Sequence, residues 1–352
     1  MIARQYGMFI HFGINTFNNT EWSDGTLPVE SYAPAKIDAD GWVKNARDCG
    51  MKYVILTAKH HDGFCMWDTD TTDYCINHSA NTTDVVKAVA DACEKYGIKL
   101  GLYYSEELDW HEPDGGGYTF GHTNCGVMSW TNDWDFPENG KKDYARCFEG
   151  KIKTQMKEIL TQYGDLCLIW CDTPMDIKPA QSRELYDMIK HYQPDCLVNS
   201  RIGNGLGDYR STGDNEEAFE TAEGAGNAPD SRPGEALVRT GLYECPATLN
   251  DTWGYKPFDQ NWKSPDRVRE LRRSLNARGI NYLLNVGPDP LGRIPAPSVD
   301  ILREQVLVRL DGQNEGPKRY RTCEIQVLRN GKGSRDGIEL PTTLPERYQE
   351  PP

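Results

Sequence analysis

The stretch Tyr53–Trp67, YVILTAKHHDGFCMW, constrains the fold more than any other part of the chain. Tyr53, Val54, Ile55, Leu56 and Thr57 form a short apolar, β-branched run, which reads as a buried strand. The character then changes within two residues. Lys59, His60, His61 and Asp62 come together, Gly63 lets the chain turn, and Phe64 and Trp67 supply aromatic wall. A strand that ends in clustered polar and aromatic residues is how a parallel α/β protein builds a site, because ligands sit outside the carboxyl ends of its strands. The layout recurs along the chain. Met8–Phe12 carries His11 near its end, and Ile98–Tyr104 ends in Tyr103, Tyr104 and Ser105. Leu166–Cys171 runs into Asp172, and Cys196–Asn199 into Ser200-Arg201. A further strand is expected within Ala236–Glu244, and a last one at Asn281–Val286, closed by Gly287-Pro288.

Helices are expected between these strands at Asp38–Cys49, Thr83–Tyr96, Lys141–Tyr163, Pro179–Tyr192 and Pro265–Ala277. Gly50, Gly97 and Gly164 follow three of them where a C′ glycine would stand. Strand and helix in alternation give an α/β fold. Six or seven strands before residue 290 favour an irregular (β/α)8-like, TIM-type barrel. A doubly wound sheet is the alternative, weakened because no GxGxxG follows the first strand. The barrel is expected over 1–310. Residues 311–352 change composition and read as a tail or the remnant of a β domain. A long aromatic loop is expected over Glu106–Asn139.

Composition excludes several functions. With 53 acidic against 39 basic residues the net charge is −14, which argues against binding a phosphate backbone. No run of eighteen apolar residues spans a membrane. The N-terminus enters strand sequence without a signal-peptide core, so the chain as given reads as cytoplasmic, or as periplasmic or secreted if a leader was removed. The eleven cysteines contain no CxxC pair and read as small buried hydrophobes.

Asp172 is the leading candidate for chemistry. It sits where a core strand emerges, and a carboxylate there is costly to bury unless it is bonded or used. The bland alternative is an Asp that caps the following turn. Trp170 lies two residues back on the same face, and an acid beside an indole suits a sugar ring. His11, His60 and His61 fit hydrogen bonding to hydroxyl groups, metal ligation, or a general base. The metal reading suffers because His-x-His is broken by Gly13. Adjacent His60 and His61 should point to opposite faces, so one is expected to pack behind the site. Glu216 and Glu217 lie in GDYRSTGDNEEAFE, a loop that on its own reads as solvated. Glycoside hydrolysis nevertheless needs a second carboxylate, and this loop or Glu244 could supply it. Trp22, Trp67, Tyr103, Trp170 and Trp253 occur in polar company after strands, which suits a stacking surface. No phosphate-binding GxxxxGK[ST], nucleophile elbow or HExxH is present.

The segments FIHFG, EW, YVILTAKHHDGFCMWDTDTTDY, KLGLYYS, LIWCD, LVNSR, GDYRSTGDNE and NYLLNVGP, in this order, resemble the α-L-fucosidases of glycoside hydrolase family 29. The resemblance implies retaining hydrolysis of terminal α-L-fucosides of glycans, with no metal or other cofactor. It also implies a barrel usually followed by a β-sandwich, here missing or truncated. On this chain it implies Asp172 as nucleophile and Glu216 as acid/base, with Glu217 and Glu244 as the other candidates. His11, His60, His61, Tyr103, Trp170 and Arg201 match pocket positions, Glu21 and Trp22 the loop that reads fucose, and Trp253 the aromatic facing the C5 methyl. WCDT departs from the WFDG of many members. GDNE looks like the branch preferring α-1,3/1,4 linkages, while YECPATLNDTWGY looks like the broad branch. Partners are then a fucosylated glycan, with no nucleic acid or membrane, and a homo-oligomer stays open. The competing readings are an inactive fucose-binding relative and a metal-dependent barrel hydrolase using His11, His60 and His61.

Overall fold

Among the described residues eight strands form one sheet, most of them on the expected apolar runs, and a two-residue antiparallel pair, Asn124–Cys125 with Met128–Ser129, forms a second. A computed structural model describes residues 4–116, 141–217 and 241–306, with the backbone of 124–125 and 128–129. The strands of the large sheet are β1 (Tyr6–Ile10), β2 (Tyr53–Lys59), β3 (Lys99–Ser105), β4 (Leu166–Asp172), β5 (Leu197–Val198), β6 (Arg210–Ser211), β7 (Tyr243–Ala247) and β8 (Ile280–Val286). All pair in parallel, in the order β5-β4-β3-β2-β1-β8-β7-β6. The two ends of this sheet meet. Asn199, just past β5, bridges Tyr209, just before β6. Asp208 N–H donates to Val198 O at 2.7 Å, and Val198 N–H returns a bond to Asp208 Oδ2 at 2.8 Å. The sheet therefore closes as an irregular (β/α)8 barrel rather than remaining a doubly wound sheet.

The helices of ten residues or more are α1 (Ala39–Asp48), α2 (Val85–Tyr96), α3 (Lys153–Gln162), α4 (Pro179–Tyr192), α5 (Pro265–Ala277) and α6 (Ala296–Val306). Their ends follow local chemistry. Asp84 caps α2 by accepting from Lys87 N–H at 2.8 Å, and Gly97 closes it with φ +65°. The expected Lys141 start of the third helix moves to Tyr144, because the Asp143 side chain accepts from Ala145 N–H. A π turn, Phe148–Ile152, then leads into α3. The sequence reading missed α6, which begins among prolines. It also missed β6, and between β5 and β6 a 3-10 turn, Ser200–Ile202, stands where a helix would be. The expected tail 311–352 lies outside the described residues, as does most of the loop expected over Glu106–Asn139.

Alternation along the strands builds two layers. Met8, Val54, Leu56, Leu102, Ile169 and Leu284 face the helices in one continuous core. Phe9, Tyr53, Ile55, Tyr103, Leu168, Trp170 and Leu283 fill the barrel interior. Gly7 is required there, since a Cβ would stand 2.4 Å from the ring of Tyr53. The interior is thus a plug of side chains. The nine described cysteines are all free and buried.

Candidate active site

Above the plug lies a cavity of about 70 Å³. The inner-face positions of consecutive strands supply its floor: Phe9 and His11 from β1, Tyr103 from β3, Trp170 and Asp172 from β4. His60, His61 and Arg201 come from the turns after β2 and β5. Trp22, Asp214 and Trp253 close the rim. The last strand positions that rim. Asn285 donates to Trp253 O at 2.8 Å, and Gly287 lets the backbone of 253–255 approach within 2.7 Å of where a Cβ would be. The NYLLNVGP block is therefore a seat for the Trp253 loop.

Asp172 is the centre of the polar network. Its Oδ2 accepts from Tyr103 OH at 2.8 Å and lies 3.8 Å from His61 Nε2. Its Oδ1 accepts from Thr173 N–H and from Arg201 Nη1, both at 2.9 Å. Every one of these donors stabilises the ionised form of a carboxylate that is only 6% exposed. Asp172 does accept from the following backbone N–H, in keeping with the capping alternative, but it also lines the cavity. The second guanidinium nitrogen of Arg201 reaches Asp214 Oδ1 at 2.6 Å. One guanidinium, lying over the Trp170 ring at 4.7 Å, therefore holds two carboxylates of one cavity.

Two of the histidines are held neutral with ring nitrogens left over for hydrogen bonding. Burial, and then the neighbouring His60, pushes the His11 pKa well below the ordinary imidazole range. Burial, and then His61, does the same to His60. Both rings are neutral near pH 7 and keep one donor and one acceptor each. His11 Nε2 and His60 Nδ1 are buried without a hydrogen-bond partner among the described residues. Sugar hydroxyls are the kind of group that would satisfy them. Among the described residues no three His, Cys, Asp or Glu side chains converge as metal ligands would.

Several sequence expectations are corrected by placement. The expectation that one of His60 and His61 packs behind the site fails, because both line the cavity. The register between β2 and β3 slips between Thr57 and Lys59, which re-aims the chain after the strand. Trp67 does not reach the cavity. It is fully buried and donates Nε1–H to Glu158 Oε2 at 2.9 Å. Glu217 lies elsewhere, accepting from Tyr282 OH at 2.6 Å and pairing with Lys263 at 3.0 Å. Glu244 is wholly buried below the cavity floor, accepting from Tyr53 OH at 2.5 Å, Trp170 Nε1–H at 3.0 Å and Tyr209 OH at 3.3 Å. Burial raises its pKa against those three bonds. Glu216 does not line the cavity, and its Oε2 accepts from Gly213 N–H at 2.7 Å. Glu21 braces the rim from behind, accepting from Trp253 N–H at 2.7 Å, while its neighbour Trp22 reaches the cavity.

Sequence reasoning did not single out Asp214, Phe9 or Ser105. Asp214 is the cavity's second carboxylate, Phe9 shares the inner face with His11, and Ser105 Oγ lies 2.7 Å from His61 Nδ1. The two-residue period back from His11 was a signal for Phe9. For Asp214 the only signal was its place in GDNE.

A family model described as alpha-L-fucosidase matches residues 3–306. Alpha-L-fucosidase 1 of Arabidopsis thaliana is 29% identical over 84% of this chain and 56% of its own length. The chain spans less than two thirds of the length of the first curated relatives it matches. The unliganded alpha-L-fucosidase of Lactobacillus casei is 38% identical, with a TM-score of 0.77 over 86% of this chain and 95% of that one. A mutant of the same enzyme has been solved in complex with Fucα(1,6)GlcNAc, at 38% identity and a TM-score of 0.76 over the same shares. Alpha-L-fucosidase isoenzyme 1 of Paenibacillus thiaminolyticus is 31% identical, with a TM-score of 0.71 over 86% of this chain and 73% of that one.

Proposed function

The chain belongs to the α-L-fucosidase family of glycoside hydrolases, and from that premise we propose that it is a retaining exo-α-L-fucosidase acting on fucosylated glycans. The observation that carries the reading is the Arg201 clamp, which holds Asp172 and Asp214 in one cavity at 2.9 and 2.6 Å. Two carboxylates with different surroundings are what double displacement needs. Asp172 is buried and surrounded by donors, so it is the nucleophile. The Asp214 side chain is 42% exposed at the rim, where a leaving group and then water can reach it. The acid/base role is therefore assigned to Asp214 rather than Glu216.

In the first step an Asp172 oxygen forms a bond to the fucose anomeric carbon while the glycosidic C–O bond breaks. Asp214 gives its proton to the departing oxygen. In the second step Asp214 takes a proton from water, the water oxygen attacks the anomeric carbon, and Asp172 leaves as carboxylate. Two inversions give net retention. His11 and His60 read the hydroxyls, and Trp22 and Trp253 enclose the ring with its methyl edge.

The test is release of free L-fucose from glycans with α-1,2, α-1,3, α-1,4 and α-1,6 linkages, with the first-formed anomer read by proton NMR. The α-1,6 disaccharide bound by the Lactobacillus casei mutant is the first substrate to try. Initial release of α-fucose supports the mechanism, and initial β-fucose refutes retention. No release from folded protein favours the binding-only relative.

A further inference from the structure

We propose that the buried ionic cluster of Lys59, Asp109 and Lys151 is a positioning device that holds His61 against the nucleophile. The inference rests on the fucosidase reading of the same cavity. Lys59 ends β2, where Ile55 faces the barrel interior and Leu56 and Ala58 face the helices. Strict alternation would send Lys59 inward and His60 outward. Instead the Lys59 ammonium lies 4.3 Å over the ring of Tyr104, whose hydroxyl bonds Gln155 of α3. Lys59 is therefore turned to the helix side, and the two histidines that follow both enter the cavity.

An ammonium with 0% exposure does not take that direction without a partner. The partner is Asp109 Oδ2 at 3.0 Å. The same oxygen lies 2.8 Å from Lys151 Nζ, which in turn lies 3.4 Å from Glu112 Oε2. Burial would drive the Lys59 proton off, but Asp109 beside it keeps the ammonium charged. Burial would likewise protonate Asp109, and the two lysines outweigh it and hold the carboxylate ionised. Lys151 comes from the π turn before α3, so three separate connections are tied at one atom.

Asp109 transmits this to the site. Its Oδ1 accepts from Glu112 N–H at 3.1 Å and presses on the 60–63 turn, where a Cβ on Gly63 would stand 2.1 Å away. The next residue, Trp110, donates N–H to His61 O at 2.8 Å and sets its ring edge-on to the imidazole at 5.4 Å. The His61 ring is thus fixed 3.8 Å from Asp172. Well-packed apolar groups would stabilise this interior as well as ions do. What ions add is one allowed arrangement of the turn.

The experiment is a double-mutant cycle of Lys151→Met with His61→Ala, measured on an aryl α-L-fucoside. Lys151→Met leaves the Lys59–Asp109 pair intact. Active sites are counted by covalent trapping with a 2-deoxy-2-fluoro fucoside, so a partly unfolded sample does not mimic slow turnover. The expected result is an approximately tenfold fall in kcat per active site with KM little changed, absent in the His61→Ala background. If Lys151→Met fails to fold, Lys151→Arg keeps the charge and moves its position, and the same loss of effect without His61 is expected. Native kcat per site, or losses that simply multiply, overturns the inference and leaves the fucosidase reading intact. A parent protein that releases no fucose overturns both.

Discussion

Replacing Asp214 by Ala separates the acid/base assignment from every competitor, and its consequences can be worked from the contacts. Asp214 loses one bond, the 2.6 Å contact to Arg201. Its side chain is 42% exposed, so the pair contributes at most about 1 kcal/mol to stability. Arg201 stays anchored by Asp172 at 2.9 Å and by Thr212 O at 3.1 Å, so Asp172 keeps its geometry. The chemical loss is different in kind. General acid catalysis contributes roughly 10²–10⁴-fold when the leaving group is poor and little when it is already stable as an anion. The variant should therefore lose about that factor in kcat/KM on a fucosylated disaccharide and far less on 4-nitrophenyl α-L-fucoside. Azide sharpens the assay. It attacks the fucosyl-enzyme without base help and gives a fucosyl azide of retained configuration. With Asp172→Ala, azide must enter from the vacated face and give the inverted product. Disaccharide hydrolysis within about threefold of the parent would refute the assignment, and the same leaving-group pattern in Glu216→Ala would move the role there.

Three further predictions follow from the surroundings of the site. Burial, opposed by its bond from Phe64 N–H, raises the Asp62 pKa to about 7, above its ordinary value. The folded state therefore binds that proton more tightly than the unfolded one. The associated stability is present at acid pH and is lost as pH rises from about 4 to 7, on the order of 4 kcal/mol in all. Urea unfolding of Asp62→Asn between pH 4.5 and 8 should lack that slope, and an unchanged slope refutes the source. Thr173, next to Asp172, has φ +61°, a left-handed conformation that a β-branched residue adopts only under strain. Its hydroxyl donates to Asp172 O at 2.7 Å. Thr173→Gly should raise stability by about 1 kcal/mol and lower kcat, and a less stable variant contradicts the strain argument. Glu244→Gln leaves at least one of its three buried donors unmatched. It should cost about 1–3 kcal/mol and weaken substrate binding through Trp170, without any leaving-group dependence.

The parts of this molecule that the sequence made legible are those whose direction is set within one strand. A strand buried on both faces reads as an apolar run, so the polar residue at its end stands out, and His11 and Asp172 were found that way. β6 offers only Arg210 and Ser211, too short for any run, and it was missed. Trp67 and Trp170 look alike in sequence. What parts them is the acceptor, Glu158 for one and Glu244 for the other, 91 and 74 positions away. The same holds for the loop with Asp214, Glu216 and Glu217. No period governs a loop, and the carboxylate that enters the cavity is the one Arg201 reaches from another connection.

The His60-His61 pair makes the physical reason plain. Alternation predicted opposite faces, and it would have been right had Lys59 followed it. Lys59 breaks the pattern because a buried ammonium goes where its counter-ion is, and that counter-ion sits 50 positions on. Apolar burial is non-directional and is written into local periodicity. Ion pairing at 3 Å is directional, and its partner is supplied by a different loop. A site built on strand ends is therefore readable down to the last apolar residue. Beyond it, placement is decided by charges that only the closed barrel brings together.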